Sequence, residues 1–99
     1  MVVIVFRSRL KPGVEAEIEK VGGAMYELAA KMPGFVSYRE YMSGDDEAAA
    51  IVEFESHETL AAWREHPEHR AAQQAGRDRF FSEYRITVCD VVRDYAFPA

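Results

Sequence analysis

The chain has 99 residues, 48% of them hydrophobic and 29% charged, and its 17 acidic side chains outnumber 12 basic ones to give a net charge of −5. This composition indicates one globular domain over residues 1–99, and a single cysteine excludes an internal disulfide. The acidic balance argues against nucleic acid or a membrane surface as partner, and no apolar run approaches the about 20 residues of a membrane span, so we expect a cytoplasmic protein.

The first half of the chain predicts a strand, a helix and two further strands. An apolar run predicts the first strand over 2–9, and strands over 35–42 and 48–55 are joined by a turn. The helix between them carries one apolar face, formed by Val14, Ile18, Val21, Met25, Leu28 and Met32. Gly22 and Gly23 interrupt this helix at a cost near 1 kcal/mol each, which predicts close packing against a neighbouring element.

The second half predicts a broken helix and a last strand. Ser56 is expected to cap the helix, and Pro67 to break it at His66 and begin a new helical piece. Residues 77–83 are expected to form a short connection to a strand over 84–95. The order β-α-β-β-α-β predicts an α+β, ferredoxin-like domain with an antiparallel sheet.

The first and last strands are apolar on both faces. Residues 2–6 and 86–92 lack the polar alternation expected of a sheet with one wet face. The helices can cover only one face, so the other needs a partner. A homodimer packed through the sheet faces is the simplest prediction.

Several short motifs accompany this element order. Pro33-Gly34-Phe35 opens the second strand, and Phe54-Glu55-Ser56 leads through Leu60 to Trp63. The segment His66-Pro67-Glu68-His69 and a valine-rich last strand follow. Together these features resemble the antibiotic biosynthesis monooxygenase superfamily. The resemblance implies a dimeric α+β barrel with a pocket between sheet and helices in each subunit. For some members it also implies oxygenation of electron-rich aromatics without flavin, haem or metal.

The resemblance also bears on the related haem-degrading branch. Its haem-ligand histidine, a tryptophan and an asparagine correspond here to Gln73, Phe54 and Phe6. All three differ, so haem degradation by that mechanism is not expected. Because Gln73 stands where that branch has its haem-ligand histidine, the resemblance implies that Gln73 faces the pocket.

Nucleotide-binding fingerprints are missing from the sequence, which contains neither G-x-G-x-x-G nor G-x-x-x-x-G-K-[ST]. We therefore expect no cofactor, in which case the substrate itself must give an electron to oxygen. A deprotonated phenol or hydroquinone can do so. Such chemistry needs a base, a stabiliser for the anion and a dry aromatic pocket.

The candidate base is His69, with His66 as second choice. The alternative is that both histidines are solvated residues around a helix break. No metal site is expected, because the spacing is not H-E-x-x-H and no third ligand is evident. Arg7, Arg9, Arg39 and Arg85 could hold a phenolate, but salt bridges with Glu53, Glu55 or Asp90 are the favoured interpretation.

Aromatic and polar side chains near the predicted pocket are candidates for contact with a small aromatic substrate. The alternative for each of the aromatic ones is simple core packing. The candidates are Phe6, Phe54, Trp63, Gln73, Phe80, Phe81 and Tyr84.

Two functions stay open at this point. One is a monooxygenase acting on an electron-rich aromatic or quinol-type molecule. The other is a non-catalytic small-molecule-binding or stress-associated protein of the same fold. An RNA-recognition domain shares the element order, but the third strand lacks its stacking aromatics and is acidic.

Overall fold

The computed structural model describes residues 1–98, and its four strands form one antiparallel sheet in the order β2-β3-β1-β4. The elements are β1 (Val2–Leu10), α1 (Glu15–Lys31), β2 (Phe35–Met42), β3 (Ala48–Phe54), α2 (His57–Glu65), α3 (Pro67–Ala75) and β4 (Phe81–Asp90). This confirms the predicted ferredoxin-like α+β class and the division of the second helix. Within residues 1–98, no helix has both the length and the apolar character that crossing a membrane requires.

The two faces of β1 have different environments. Val2 and Ile4 point toward the helices and are 2% and 6% exposed. Val5 points to the opposite face, where it pairs with Ile51 of β3 and Thr87 of β4. This open face of the sheet therefore carries partly exposed apolar residues at its centre, and none of the chain's own helices covers it.

The core lies between β3 and α2. Phe54 ends β3 fully buried, and Trp63 of α2 stacks on it with ring centroids 5.5 Å apart and planes 26° apart. The helix is positioned by a capping box, in which Ser56 accepts from the Thr59 backbone N–H and Thr59 in turn accepts from the Ser56 N–H. The predicted cap at Ser56 is thus confirmed, and it directs Trp63 onto the sheet.

The segment after α3 differs from the prediction. Residues Gly76–Phe80 form one π-helical turn instead of an irregular connection, and β4 runs from Phe81 to Asp90 instead of over 84–95. Both ends of β4 are set by β1, because Phe81 pairs with Leu10 and Asp90 with Val2. Beyond Asp90, the Val91 N–H still donates to the Met1 carbonyl at 3.1 Å, but β1 has no residue left to pair with the apolar residues that follow, so they do not extend the sheet.

A close contact at Gly34 fixes α2 against the start of β2. Gly34 has a φ of +82°, and a Cβ placed there would lie 2.5 Å from the Cβ of Thr59. The Gly34 carbonyl also accepts a 2.8 Å hydrogen bond from the backbone N–H of Glu55. Only glycine combines this backbone conformation with this contact.

We predict that Gly34→Ala lowers the free energy of unfolding by roughly 2–4 kcal/mol, through the left-handed backbone and the overpacking against Thr59 together. Gly13→Ala is the matched control, because Gly13 has a φ of +84° but nothing within 4 Å of an added Cβ. Gly13→Ala should lower the free energy of unfolding only by the cost of the left-handed backbone, about 1–2 kcal/mol. Denaturant unfolding measures both, and equal losses would show that Thr59 yields without cost.

Candidate active site

A cavity of about 800 Å³ lies between the helices and the sheet. Its walls are mostly apolar, and its size suits a small organic molecule. Strand residues form its floor, and α1 and α3 form its sides. Representative lining residues are Ile4, Phe6, Ile18, Met25, Ile86 and Val88.

The apolar face of α1 borders this cavity and does not close onto the sheet. Ile18, Val21 and Met25 are only half-buried and line the cavity, whereas Ala29 is the one fully buried residue of the helix. The predicted close packing at Gly22 and Gly23 is wrong. An added Cβ would meet only Glu40 Oε1, at 4.0 Å from Gly22, and nothing within 4 Å of Gly23.

Aromatic rings form the end of the cavity beside α2 and α3. The indole of Trp63 is 6% exposed, and the imidazole of His69 lies against it with ring centroids 4.2 Å apart. Tyr38 of β2 presents its ring at 82° to the indole, with centroids 6.4 Å apart. Trp63, His69 and Tyr38 all line the cavity, so this end combines apolar surface with polar atoms.

His69 is a half-buried titratable group of this cluster. Burial lowers the pKa of its imidazole, and the positive charges of Arg64 and His66 act in the same direction, while the nearby Arg64 carbonyl partly opposes them. The imidazole is therefore neutral near pH 7 and able to accept a proton. Its Nδ1 is enclosed without a hydrogen-bond partner, which leaves Nε2 as the nitrogen that a ligand can approach.

Tyr38 is a second polar group that the sequence analysis missed. Burial, with a smaller contribution from Glu40, raises the pKa of its hydroxyl to about 12. It therefore stays protonated and can donate a hydrogen bond at neutral pH. The feature that could have identified Tyr38 is its place in the strand register. It pairs with the buried Val52 and therefore points inward.

His66 has a different place from His69. Its Nδ1 accepts a 3.2 Å hydrogen bond from the Glu68 backbone N–H and caps α3. His66 does not line the cavity within the described residues. Among residues 1–98, no three histidine, cysteine or carboxylate side chains converge in a way that could hold a metal ion.

The other predicted contact residues divide into two groups. Phe6, Trp63, Gln73 and Phe81 line the cavity together with His69. Phe54 and Phe80 are almost fully buried and do not line it. Tyr84 lies beside the cavity wall, with its ring centroid 5.7 Å from that of Phe6 and 5.9 Å from that of Phe81.

The strand arginines Arg7 and Arg9 are held in ion pairs on the surface. Arg7 contacts Glu47 at 3.0 Å, and Arg9 contacts Asp45 at 2.7 Å and Glu83 at 3.1 Å. Ion pairing was the favoured prediction for these residues, although their acidic partners differ from the predicted ones. Arg64, in contrast, lines the cavity, and the sequence analysis did not identify it.

The fold and this cavity define a class of small ferredoxin-like domains that enclose a ligand pocket between one sheet and its helices. Residues 1–75 match the family described as Antibiotic biosynthesis monooxygenase. The chain belongs to this family.

The chain is also similar to several individual proteins. Protein YqjZ of Bacillus subtilis (strain 168) is 32% identical over 73 residues, which span 74% of this chain and 64% of YqjZ. The structure of Rv0793 from Mycobacterium tuberculosis has a TM-score of 0.85 at 19% identity, covering 96% of this chain and 98% of Rv0793. SnoaB, a cofactor-independent oxygenase from Streptomyces nogalater, has a TM-score of 0.79 at 21% identity, covering 99% of this chain and 97% of its own. At these identities the two structures establish a shared fold.

The lowered pKa of His69 predicts a pH-dependent contribution to stability. The unfolded chain binds a proton at the ordinary pKa of 6.5, whereas the folded chain binds it only at lower pH. The stability of the wild type should therefore be highest above pH 6.5 and fall as the pH drops toward the folded-state pKa.

Denaturant unfolding between pH 8 and 5 measures this effect, and His69→Gln should weaken the dependence. Gln73→Ala, which alters the same cavity without removing a titrating group, should keep the wild-type dependence. A wild type and His69→Gln with parallel pH profiles would contradict the assignment of a neutral, half-buried imidazole.

Proposed function

We propose that this protein is a cofactor-independent monooxygenase that oxidises an electron-rich aromatic or quinol-type small molecule in the cytoplasm. The observation that carries the proposal is a neutral, half-buried imidazole placed against an indole at one end of an apolar cavity. Membership of the family supports it. So does the shared fold with SnoaB, which is named a cofactor-independent oxygenase.

The chemistry follows from the charge state of the substrate. Nε2 of His69 takes the proton of an aromatic hydroxyl, so the O–H bond breaks and an N–H bond forms. The resulting anion transfers an electron to dioxygen, and the radical pair combines through a new C–O bond at a ring carbon that bears hydrogen. The peroxide anion takes the proton back from Nε2 of His69 and becomes a hydroperoxide. Loss of water then breaks the C–H and O–O bonds and leaves one oxygen atom as a product carbonyl, so that substrate and dioxygen together give the oxidised product and one water.

A non-catalytic binding protein is the second candidate, and one observation favours it. Nδ1 of His69 has no hydrogen-bond partner within residues 1–98, so no carboxylate orients the imidazole in the way that a base is usually oriented, and the nearby Arg64 carbonyl is the one backbone group that favours its protonated form. In the tautomer that a base requires, the Nδ1–H would be buried and unpaired, at a cost of about 1–3 kcal/mol. A protein that binds and stores an aromatic ligand would not need that tautomer.

The proposed functional form is a homodimer packed through the open face of the sheet. In a single chain the apolar centre of this face, formed by Val3, Val5 and Ile51, is only partly buried. A second copy would remove this apolar surface from water, at about 25 cal/mol for each Å² buried. The cavity lies on the opposite side of the sheet, between the sheet and the helices.

We predict that light scattering at micromolar concentration gives twice the 11.3 kDa mass of one chain. Val5→Arg places a charge at the centre of the open face and should shift the mass toward the monomer. Ala62→Arg on the exposed side of α2 is the matched control and should leave the dimer intact. A folded wild type that sediments as a monomer would refute the dimer.

We predict that His69→Ala lowers kcat for oxidation of a reactive hydroquinone by at least about 10²-fold, the lower bound of what a general base contributes. Oxygen uptake measures the rate, after dialysis against a chelator and without added flavin or haem. His57→Ala is the control, because His57 is exposed and bonded to Asp90 at 2.6 Å, on the surface and apart from the cavity.

The same assay separates the candidate functions. Near-full turnover by His69→Ala across pH 6–9 would remove His69 from the mechanism. Tight ligand binding by the wild type without any oxygen uptake would favour the binding protein. Activity that is lost on dialysis and restored by metal or flavin would contradict the cofactor-independent reaction.

A further inference from the structure

We propose that Arg64 and His69 form an anion-binding end of the cavity, which holds the oxygen of an aromatic hydroxyl between a guanidinium and an imidazole. This inference rests on the proposed function and names the part of the ligand that the site recognises. It assigns to Arg64 a role in binding the deprotonated form of the ligand.

Arg64 is a cation that no carboxylate neutralises. It lies in the last turn of α2 and lines the same cavity as His69. Arg7, Arg9 and Arg79 each contact a carboxylate within 4.0 Å, but Arg64 makes no such ion pair within residues 1–98. Arg64 is solvent-exposed where it borders the cavity, so its guanidinium is free to bind an anionic ligand atom there.

The charge of Arg64 also acts on His69. It disfavours the imidazolium, so the two residues cannot both be charged without cost while the cavity is empty. An anionic oxygen between them removes that repulsion, since it attracts both cations. Proton transfer from ligand to His69 and binding of the anion by Arg64 should therefore favour each other.

The remaining titratable groups of the cavity lie on other elements. Glu40 of β2 extends toward Gly22 of α1, where its Oε1 would be 4.0 Å from an added Cβ. An anion is repelled by the carboxylates of α1 and β2 and attracted to the α2–α3 end. The groups on α1 and β2 that line the cavity are Glu19, Tyr26, Tyr38, Glu40 and Tyr41.

The proton transfer is balanced without any further reactant. The O–H bond of the ligand breaks, its electron pair stays on oxygen, and the proton forms a bond to Nε2 of His69. A neutral pair becomes an ion pair, and the guanidinium of Arg64 stabilises the new negative charge. The ligand class is thus an aromatic with an acidic hydroxyl, bound as its oxyanion.

The test uses para-nitrophenol as the probe, because its anion absorbs visible light and its acid does not. Titration of the 99-residue chain with this probe across pH 5–9 yields the affinity for the anion and the apparent pKa of the bound probe. The wild type should bind the anion in preference to the acid and lower that pKa. Arg64→Gln should lose roughly 10-fold to 100-fold in affinity for the anion.

Two further variants separate charge from structure. Arg64→Lys keeps the positive charge and should recover most of the affinity. Arg70→Gln makes the same substitution as Arg64→Gln at an exposed position of α3 that does not line the cavity, and should bind like the wild type. Circular dichroism confirms that each variant is folded.

The outcomes distinguish this inference from the proposed function. Anion binding that depends on Arg64, without oxidation of any hydroquinone, would leave the inference intact and overturn the oxygenase. Oxidation with unchanged anion affinity in Arg64→Gln would overturn the inference alone. A wild type that binds only the neutral probe, or does not bind it, would also overturn the inference.

Discussion

The break between α2 and α3 is the constraint on which the candidate site depends. Pro67 has no backbone N–H and can stand only at the start of a helix, so α2 ends and His66 takes an extended conformation with ψ 134°. In a continuous helix, residues six apart lie about 120° from each other around the axis. The rings of Trp63 and His69 therefore meet at 4.2 Å only because α3 starts on a new axis. The same break uses His66 as a cap, which explains why two neighbouring histidines have different roles.

This arrangement has a cost in stability that a purely structural core would not need. Nδ1 of His69 and Nε1 of Trp63 are both buried without hydrogen-bond partners, in rings that touch each other. Each unpaired buried polar atom costs about 1–3 kcal/mol, and apolar residues of similar shape would avoid the cost. Buried polar atoms that lack hydrogen bonds are concentrated at functional sites, because the chemistry of a site and the packing of a core have different requirements. Ligand binding therefore accounts for the imidazole–indole pair better than fold stability does.

The sequence predicted the element order because apolar periodicity, turn residues and helix caps agree along most of the chain. It failed where tertiary pairing decides the outcome, since residues 91–95 are strand-like but the chain before Val2 offers only the Met1 carbonyl, which Val91 uses. It also could not reveal the cavity, because the apolar face of α1 has the same spacing whether it packs on a core or lines a void. Arg64 was not singled out for a related reason, because periodicity does not indicate that an exposed helix residue also borders a cavity.

The unequal walls of the cavity determine how a ligand can bind. The polar atoms lie beside α2 and α3, whereas the β4 side is apolar, with Ile86 and Val88 left 48% and 42% exposed. An aromatic ligand that covers these side chains gains affinity from burial, at about 25 cal/mol per Å², and gains orientation from the polar end. It also excludes water from the imidazole, so electrostatic interactions there strengthen only when the cavity is occupied. If the proposed function holds, a ligand long enough to span both walls would bury the most apolar surface, which would make ring size a determinant of affinity.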